Sequence, residues 1–409
     1  MSAEAPLYDI AVIGGGIAGA AVARDAALRG LSVALFEKNT FGSGTSSKSS
    51  RLIHGGIRYL DLAWIAFYHG RFNEAWKNLH FVFTSLHESR VLRRIAPEQV
   101  KPHPIFIPVY VGNRHRRFAV YLGCLVYYFF ALLSGGGTRP RFHWSPREAL
   151  QEVPELDPKN LNGGVTITDH ATDDLGLVKA VMASAQKNGA HCHEHAETLS
   201  YMYTGGRYRL RVKTGETENE FLARKVINAA GPWVDEVRKA NKEKDKNFIV
   251  PVAGAHIWIK SFMPRSVLLE AEDKRLFFVI NFGERSRVGT TERLLGTNPD
   301  KVKATEEEIN YLLRSLKRWF PEQTFTKKDV LAADAGVRPL AAPPRTLPLN
   351  EISREHEVRV GPTGVIHMIG VKLTDHRRAA EEVLDRLIPS LLPHNPKAKR
   401  KTSTHKILL

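Results

Sequence analysis

The chain has 409 residues, of which 43% are hydrophobic and 25% are charged. That composition excludes a wholly disordered chain, and the length allows two domains at the usual ~100–200 residues each. The formal net charge of +16 favours an acidic partner, such as nucleic acid, an anionic membrane surface or a phosphorylated molecule. No nucleic-acid-binding motif accompanies the charge, so we do not expect a nucleic-acid partner.

The first elements form a β-α-β unit. Residues 8–13 make a short apolar run typical of a strand, residues 17–29 carry alanine and apolar side chains at helical spacing, and residues 32–36 make a second apolar run. Two strands joined by a helix within about 30 residues pair in parallel. The amino-terminal part therefore predicts an α/β layer with a parallel sheet.

The next segments are a polar loop and two helical stretches. Residues 41–56 are rich in Ser, Thr and Gly, which predicts an ordered loop, and residues 64–95 have helical character throughout. The apolar run FAVYLGCLVYYFFALL, residues 118–133, is shorter than the ~20 residues that cross a bilayer. We interpret it as a helix that is either buried in the core or interfacial at a membrane.

Strands and helices alternate in the second half. The expected elements are a helix over 173–188, strands over 191–230 and 251–291, an amphipathic helix over 305–320, a strand over 364–369 and a helix over about 374–387. Strand-turn-helix units thus open and close the chain, and β-rich segments interrupt them. This order predicts a nucleotide-binding domain made of separated segments, with a second domain inserted.

A glycine-rich turn follows the first strand. Residues Gly14 to Gly19 match G-x-G-x-x-G between a strand and a helix, and an acid, Glu37, lies about twenty residues further on. Gly14 permits the tight turn, Gly16 lets the backbone approach a pyrophosphate, and Gly19 lets the helix pack on the sheet. The helix amino terminus stabilises the diphosphate, and Glu37 accepts hydrogen bonds from ribose hydroxyls. The unit predicts FAD or NAD rather than NADP.

The cysteines and the amino terminus indicate in which cellular compartment the protein is expected. Cys124 and Cys192 occur in no paired motif, and the amino terminus has neither a signal nor a transit pattern. Both observations favour a cytoplasmic protein.

The segment TSSKSSRLIHGGIRYL, residues 45–60, resembles the flavin-contacting loop of FAD-dependent glycerol-3-phosphate dehydrogenases, which belong to the D-amino-acid-oxidase-like superfamily. Further blocks that resemble this family follow in the family's order: DDLGLV, NAAGPWVD, GAHIWI, EDKRLFFVI, GTTE, GVRPL, ISREHEV and GVKLTDHR. Two positions depart from the family's pattern, because Val371 replaces a glycine and His376 replaces a tyrosine. Many members continue into a helical domain after a segment that resembles THKILL, where this sequence ends.

The resemblance implies an α/β fold in which a discontinuous, Rossmann-like FAD-binding domain carries an inserted α+β substrate-binding domain with an antiparallel sheet. The expected ranges are 1–96, 159–250 and 345–392 for the FAD-binding domain, 97–158 and 251–344 for the substrate-binding domain, and 393–409 for a basic, solvated C-terminal tail.

The resemblance also implies FAD as the cofactor. The residues expected to contact it are Gly14, Gly16, Ile17, Ala18, Gly19, Glu37, Thr45, Ser46, Ser47, Ser50, His54, Gly55, Ala230, Gly231, Trp233, Gly336, Gly370, Lys372, Leu373 and Thr374.

The implied reaction converts sn-glycerol 3-phosphate to dihydroxyacetone phosphate. Arginine suits the phosphate dianion, and a histidine suits removal of the C2 hydroxyl proton while C2 gives a hydride to flavin N5. Cations beside the developing alkoxide lower the barrier. The matching residues are Arg338 and Arg354 for the phosphate, His256 as the first-choice base and His54 as the second, Arg58 and Lys372 near the hydroxyl and the flavin, and Tyr59 in the substrate pocket.

Alternatives remain for the chemistry. The chain could instead be a related flavin oxidase or dehydrogenase for an amine or a hydroxy acid, or a flavoprotein that has lost catalysis. The cluster HCHEH, residues 191–195, lacks a second ligand set at a recognised spacing, so we expect no metal.

The electron acceptor is expected to be a quinone, with oxygen as the alternative. A quinone implies peripheral contact with the inner face of the membrane. Residues 118–133 and the flanking Arg114, Arg116 and Arg117 would provide that contact.

Overall fold

The computed structural model describes residues 6–113, 115–243, 246–296, 298–345, 347, 349 and 352–408, without the side chain of Arg58. Within these residues, helices α1 to α9 span Ile17–Leu28, Ile57–Tyr68, Phe72–Ile95, Arg117–Leu133, Pro146–Glu152, Asp174–Lys187, Val234–Ala240, Glu306–Trp319 and His376–Leu391. Strands β1 to β9 span Leu7–Ile13, Val33–Phe36, Leu52–Ile53, Val100–Tyr110, Arg141–His143, Leu161–Thr172, His191–His193, Ala196–Thr204 and Arg207–Thr214. Strands β10 to β18 span Thr217–Asn228, Ile249–Lys260, Ser266–Glu270, Leu276–Asn281, Arg285–Gly289, Arg293–Leu294, Val330–Ala341, Glu357–Val360 and Ile366–Ile369.

The first sheet has a parallel centre in the order β18-β10-β1-β2-β7, with antiparallel strands added at its edges. Helix α1 packs against α6 and α9 beside this sheet, and its alanines, among them Ala20, Ala23 and Ala26, are fully buried. Small side chains bring the helix close to its neighbours, so the sequence of α1 is suited to this crowded layer. The predicted Rossmann-like α/β domain is confirmed.

The second sheet has ten strands and is mostly antiparallel, which confirms the predicted antiparallel sheet beside the first domain. Its core is closed by α8, which begins with a capping box between Thr305 and Glu308. Strand β6 pairs with β4 in this sheet, although the sequence places residues 159–250 in the FAD-binding domain. The domain boundary stays a prediction, and the pairing shows only that residues 161–172 belong to the second sheet.

The helical character expected over residues 64–95 is confirmed, and it is divided between two helices. The structure has two antiparallel helices, α2 and α3, separated at Gly70, whose φ of 69° lies in the left-handed region. Glycine adopts that conformation without steric cost, so it ends α2 and reverses the chain.

Helix α4 lies at the surface with one face buried. Tyr121, Cys124 and Tyr127 point into the core, whereas Phe118 and Phe129 are exposed. The expectation of a wholly buried helix is therefore wrong, and the interfacial alternative fits the exposure. No helix within the described parts of the chain is long and apolar enough to cross a membrane.

The tail expected to be solvated, residues 393–409, is docked on the first domain over its described residues 393–408. The guanidinium of Arg24 donates to the carbonyls of Thr404 and Lys406 at 2.8 Å each, and the amide of Leu408 donates to the carbonyl of Ile95 at 2.7 Å. The basic side chains of this segment remain exposed while its backbone is bound. A solvated tail is wrong because a buried arginine of α1 needs those carbonyls.

Candidate active site

A cavity of about 1530 Å³ is lined by residues from both sheets. It brings together most of the residues expected to contact the cofactor or the substrate, namely Gly14, Gly16, Ile17, Ala18, Glu37, Thr45, Ser46, Ser50, His54, Tyr59, Ala230, Gly231, Trp233, His256, Gly336, Arg338, Arg354, Gly370, Lys372, Leu373 and Thr374. Gly19, Ser47 and Gly55 lie behind its wall. Arg58 lies on α2, and its side chain is outside the described structure.

The glycine-rich turn joins β1 to α1. Gly14 has a φ of 104°, and a Cβ there would lie 2.8 Å from the carbonyl oxygen of Ala229. A Cβ on Gly19 would lie 1.9 Å from the carbonyl oxygen of Gly14, so Gly19 serves the packing of the helix rather than the cavity wall. Helix α1 begins at Ile17, whose amide donates to Ser46 Oγ at 3.0 Å, and its first residues Ile17 and Ala18 line the cavity. Its positive end therefore faces the cavity, as a diphosphate requires.

Two further groups mark the nucleotide end of the cavity. The Glu37 carboxylate accepts the amide of Gly15 at 2.6 Å and that of Asn39 at 2.8 Å, which fixes it at the end of β2. The indole N–H of Trp233 is buried and has no hydrogen-bond partner among the described residues. A buried donor without a partner is costly unless a ligand accepts from it. The glycine turn, the amino terminus of α1 at the cavity and this donor fit FAD.

The turn before α9 closes the cavity on another side. Gly370 has a φ of 69°, and the amide of Lys372 donates to Asp375 Oδ1 at 2.8 Å. The helix begins at His376, two residues after the expected start. Val371 borders the cavity and packs on the core of the first sheet. The His376 ring is buried, and its Nδ1 donates to the carbonyl of Leu373 at 2.7 Å.

His256 lies on β11 and is buried. Its Nε2 is 2.9 Å from Ser50 Oγ, and its Nδ1 has no partner within the described structure. Burial, reinforced by Arg287 and Arg338, lowers the pKa of His256 well below its usual value. The imidazole is therefore neutral at physiological pH and has a nitrogen available for a proton.

His54 follows β3 at the end of the ordered loop. Its Nδ1 accepts the amide of Gly56 at 3.0 Å, so the neutral ring carries its proton on Nε2. Burial first, and then the charges of Lys372 and Arg354, lower the pKa of His54 to about 4. In this tautomer the Nε2 of His54 is an N–H donor, whereas the Nδ1 of His256 has no hydrogen-bond partner among the described residues.

Lys372 lies beside the rings of α2 and α3. Its Nζ is 4.3 Å from the centre of the Phe81 ring and 5.7 Å from that of Tyr59. Burial, aided by Arg354 and opposed by Asp375, lowers the pKa of Lys372 to about 8. Phe81 gave no signal in the sequence, because it lies in the middle of a long helix, far from the blocks that resemble the family.

Two arginines line the cavity close enough to the histidines to act on their pKa values. Arg338 Nη2 donates to Thr290 Oγ1 at 3.0 Å, and its Nη1 is 4.0 Å from Glu292 Oε1. Arg354 forms an ion pair with the same Glu292 oxygen. Two guanidiniums thus share one carboxylate, which leaves a positive excess. Thr290 and Glu292 lie in the GTTE block, but no role was expected for them from the sequence.

Residues 191–195 do not form a metal site in this arrangement. Strand β7 ends at His193, and His195 has a φ of 52°, so it leaves the strand and cannot share one face with His191 and His193. Within the described ranges, no group of three or more His, Cys, Asp or Glu side chains is arranged to hold a metal ion.

Residues 9–373 match the family model described as FAD dependent oxidoreductase. The aerobic glycerol-3-phosphate dehydrogenases of Staphylococcus haemolyticus and Bacillus subtilis are 33% and 32% identical to the chain over 394 and 387 residues. The matches cover 94% and 92% of this chain and 67% and 66% of those proteins, so the chain spans about two thirds of their length.

A solved structure with bound FAD is also similar. The glycerol-3-phosphate dehydrogenase from Bacillus halodurans superposes with a TM-score of 0.76 at 26% identity, over 99% of this chain and 68% of that chain. The family match covers the glycine turn, both histidines, Arg338, Arg354 and Lys372. This chain belongs to the family of FAD-dependent oxidoreductases.

Proposed function

We propose that the protein oxidises sn-glycerol 3-phosphate to dihydroxyacetone phosphate. The observation that carries the proposal is that one cavity holds two arginines together with a neutral, buried histidine. The relatives named glycerol-3-phosphate dehydrogenase support it. FAD, when bound, supplies the hydride acceptor for C2.

The arginines select the substrate by charge. Arg338 and Arg354 bind the phosphate dianion, and Glu292 holds the two guanidiniums in place until the dianion arrives. Charge-assisted hydrogen bonds of this kind are worth roughly 1.5–3 kcal/mol each. The phosphate therefore anchors one end of the substrate and leaves the C2 hydroxyl at the histidines.

His256 takes the hydroxyl proton. When Ser50 Oγ accepts the Nε2–H, the lone pair on Nδ1 is free to accept it. The Nε2–H of His54 and the ammonium of Lys372 stabilise the negative charge that develops on the substrate oxygen. All three groups are held by hydrogen bonds or burial before the substrate binds, so little reorganisation is needed.

Anaerobic titration of the flavin-loaded protein tests the reaction. Glycerol 3-phosphate should bleach the visible flavin absorbance rapidly, whereas glycerol, amino acids and hydroxy acids at the same concentration should not. Rapid bleaching by an amine or a hydroxy acid, with none by glycerol 3-phosphate, would contradict the proposal.

The contribution of the phosphate pocket is tested by Arg338→Ala. This variant should raise the KM for glycerol 3-phosphate by about tenfold or more, since one charge-assisted contact of roughly 1.5–3 kcal/mol is lost. The slow reaction with glycerol should change little, because glycerol has no phosphate. An equal loss with both substrates would remove Arg338 from the phosphate pocket.

We also propose that the acceptor is a membrane quinone and that the protein docks on an anionic bilayer. The outer face of α4 exposes Phe118, Leu122 and Phe129, and the α2–α3 turn exposes Phe67 and Trp76. The cavity extends between α2 and α3 to Leu62 and Ile65. Exposed apolar helices in a strongly basic protein favour the lipid interface.

The basic residues expected beside α4 are Arg114, Arg116 and Arg117. Arg116 and Arg117 lie at the start of the helix, and Arg114 is outside the described residues. Arg116 is exposed and would meet anionic headgroups, whereas the Arg117 guanidinium donates to the carbonyls of Trp144 and Asn162.

A further inference from the structure

A buried hydroxyl on α4 connects the active-site loop to the second sheet. Tyr127 Oη accepts the amide of Gly55 at 2.8 Å and donates to Asp169 Oδ1 at 2.6 Å. Tyr127 and Asp169 are 3% and 4% exposed, so neither bond is replaced by water. Nothing in the proposed chemistry uses either side chain.

The Asp169 carboxylate lies in an apolar setting on β6. Burial raises the pKa of Asp169 to about 6, and the hydrogen bond from Tyr127 and the Gly55 amide oppose that rise. The group is therefore ionised at neutral pH and depends on these donors. A buried carboxylate makes a strong, short hydrogen bond, which orients the Tyr127 hydroxyl.

Gly55 is the hinge between β3 and α2. A Cβ at this position would lie 2.5 Å from Leu86 and 2.6 Å from the Tyr127 hydroxyl, so the backbone is held tightly against both side chains. The next amide, that of Gly56, donates to Nδ1 of His54. The backbone that Tyr127 holds is therefore the same backbone that sets the tautomer and position of His54.

We propose that Tyr127 and Asp169 are positioning residues for His54, acting through the backbone at Gly55 and Gly56. This inference rests on the proposed function for its kinetic readout only. The hydroxyl of Tyr127 lies on the inner face of the helix whose outer face is apolar, so the active-site loop is attached directly to that surface helix.

The same helix supplies a matched control. Tyr121 is equally buried on α4, its hydroxyl accepts the amide of Gly164 at 3.1 Å, and it donates to the carbonyl of His143. Neither partner lines the cavity. Tyr121→Phe thus removes the same number of hydrogen bonds as Tyr127→Phe, one accepted and one donated, away from His54.

The experiment compares Tyr127→Phe with Tyr121→Phe in the FAD-loaded protein. Tyr127→Phe should slow flavin reduction by glycerol 3-phosphate about 10- to 100-fold, the range expected for a misplaced reacting group. The KM for glycerol 3-phosphate should stay within about twofold, since the arginine pocket is untouched. Tyr121→Phe should keep the wild-type rate. Equal rate losses in the two variants would overturn the proposal.

Amide hydrogen exchange gives a readout that is independent of the reaction. The peptide containing Gly55 and Gly56 should exchange faster in Tyr127→Phe than in wild type, because this variant loses the acceptor of the Gly55 amide. In Tyr121→Phe, which keeps that acceptor, the peptide should exchange at the wild-type rate. Unchanged exchange in Tyr127→Phe would also overturn the proposal. If wild-type flavin is not reduced by glycerol 3-phosphate, the proposed function fails, while this measurement still decides the positioning role.

Asp169→Asn and Asp169→Leu cover the case in which Tyr127→Phe loses FAD or does not fold. Asparagine keeps an acceptor for the Tyr127 hydroxyl and leucine does not, so flavin reduction should be slower in Asp169→Leu than in Asp169→Asn. Equal rates in these two variants would contradict a role through the hydrogen bond.

Discussion

His256 and His54 differ in the hydrogen-bond partners of their ring nitrogens. The Nδ1 lone pair of His54 is occupied by the Gly56 amide, whereas Nδ1 of His256 has no partner in the described structure. Both rings are desolvated and have lowered pKa values, so the difference between them is hydrogen bonding rather than charge. This favours His256 as the group that accepts the proton and His54 as a donor.

His256→Ala should therefore slow flavin reduction by about 10²–10⁴-fold while FAD remains bound. Since the pKa of His256 lies well below its usual value, the wild-type rate should not change between pH 6 and pH 7. Rapid-mixing measurements across this range check both statements. If His54→Ala causes the larger loss and His256→Ala a small one, the two roles are reversed.

Lys372 predicts that the rate of flavin reduction depends on pH on the alkaline side. Its pKa of about 8 means that the ammonium is present below that pH and is lost as the pH rises through it. If the ammonium stabilises the developing alkoxide, flavin reduction should fall above about pH 8. Lys372→Arg keeps its charge at that pH and should remove the descending limb. A wild-type rate that rises through pH 8 would instead make neutral Lys372 a base.

At the scale of elements, His356 connects the segment before β17 to α9. Its Nδ1 is 2.8 Å from Asp375 Oδ2 and its Nε2 is 3.1 Å from Glu382 Oε2. Burial opposes the charged ring, but the two carboxylates outweigh it and raise the pKa of His356. The stabilisation is complete below the unfolded-state pKa of about 6.5 and is lost as the pH rises through the raised folded value.

His356→Gln should accordingly lower the Tm more at pH 6 than at pH 9, because only the charged ring attracts both carboxylates. Thermal unfolding of the FAD-loaded wild type and variant at the two pH values measures this difference. The same Tm difference at both pH values would show that the ring contributes through packing alone.

Elements with local signals were predictable from the sequence. The β-α-β unit follows from short-range periodicity, and α8 begins after its N-cap Thr305, whose capping box with Glu308 lies within four residues. The contact between Tyr127 and Asp169 joins residues 42 positions apart, and that between Arg24 and Thr404 joins residues 380 apart. Hydrophobic periodicity does not predict contacts between residues so far apart. The docking of the tail and the attachment of the Gly55 loop to α4 could therefore not be predicted from the sequence.

In the active site, too, the residues could be predicted from the sequence but their hydrogen bonds could not. The blocks that resemble the family contain both histidines, Lys372 and the two arginines, and the cavity collects them. Which histidine has a free nitrogen depends on Gly56 and Ser50, whose backbone and side-chain directions are set by the loop conformation. The order of residues in the sequence does not show which atoms form these hydrogen bonds.

On the scale of the whole molecule, a net charge of +16 coincides with apolar helices at the surface. Phe118 is 77% exposed and Trp76 is 71% exposed, on two helices that belong to one packed group of α2, α3 and α4. Single exposed apolar residues are ordinary, whereas several on neighbouring helices mark an interaction surface, which supports the proposed membrane contact.

The protein should float with anionic vesicles at low salt and bind them much less at high salt or with neutral vesicles, since basic residues near the headgroups contribute about 1 kcal/mol each. The double variant Phe118→Ser with Phe129→Ser should lose most of this binding, because it removes apolar side chains from the outer face of α4. Tyr203→Ser is a matched control, as Tyr203 is 58% exposed on β8 in the first sheet. Flotation that is equal for all three proteins would place the contact elsewhere. If wild type does not bind anionic vesicles at low salt, the protein does not dock on membranes and a soluble electron acceptor replaces the quinone.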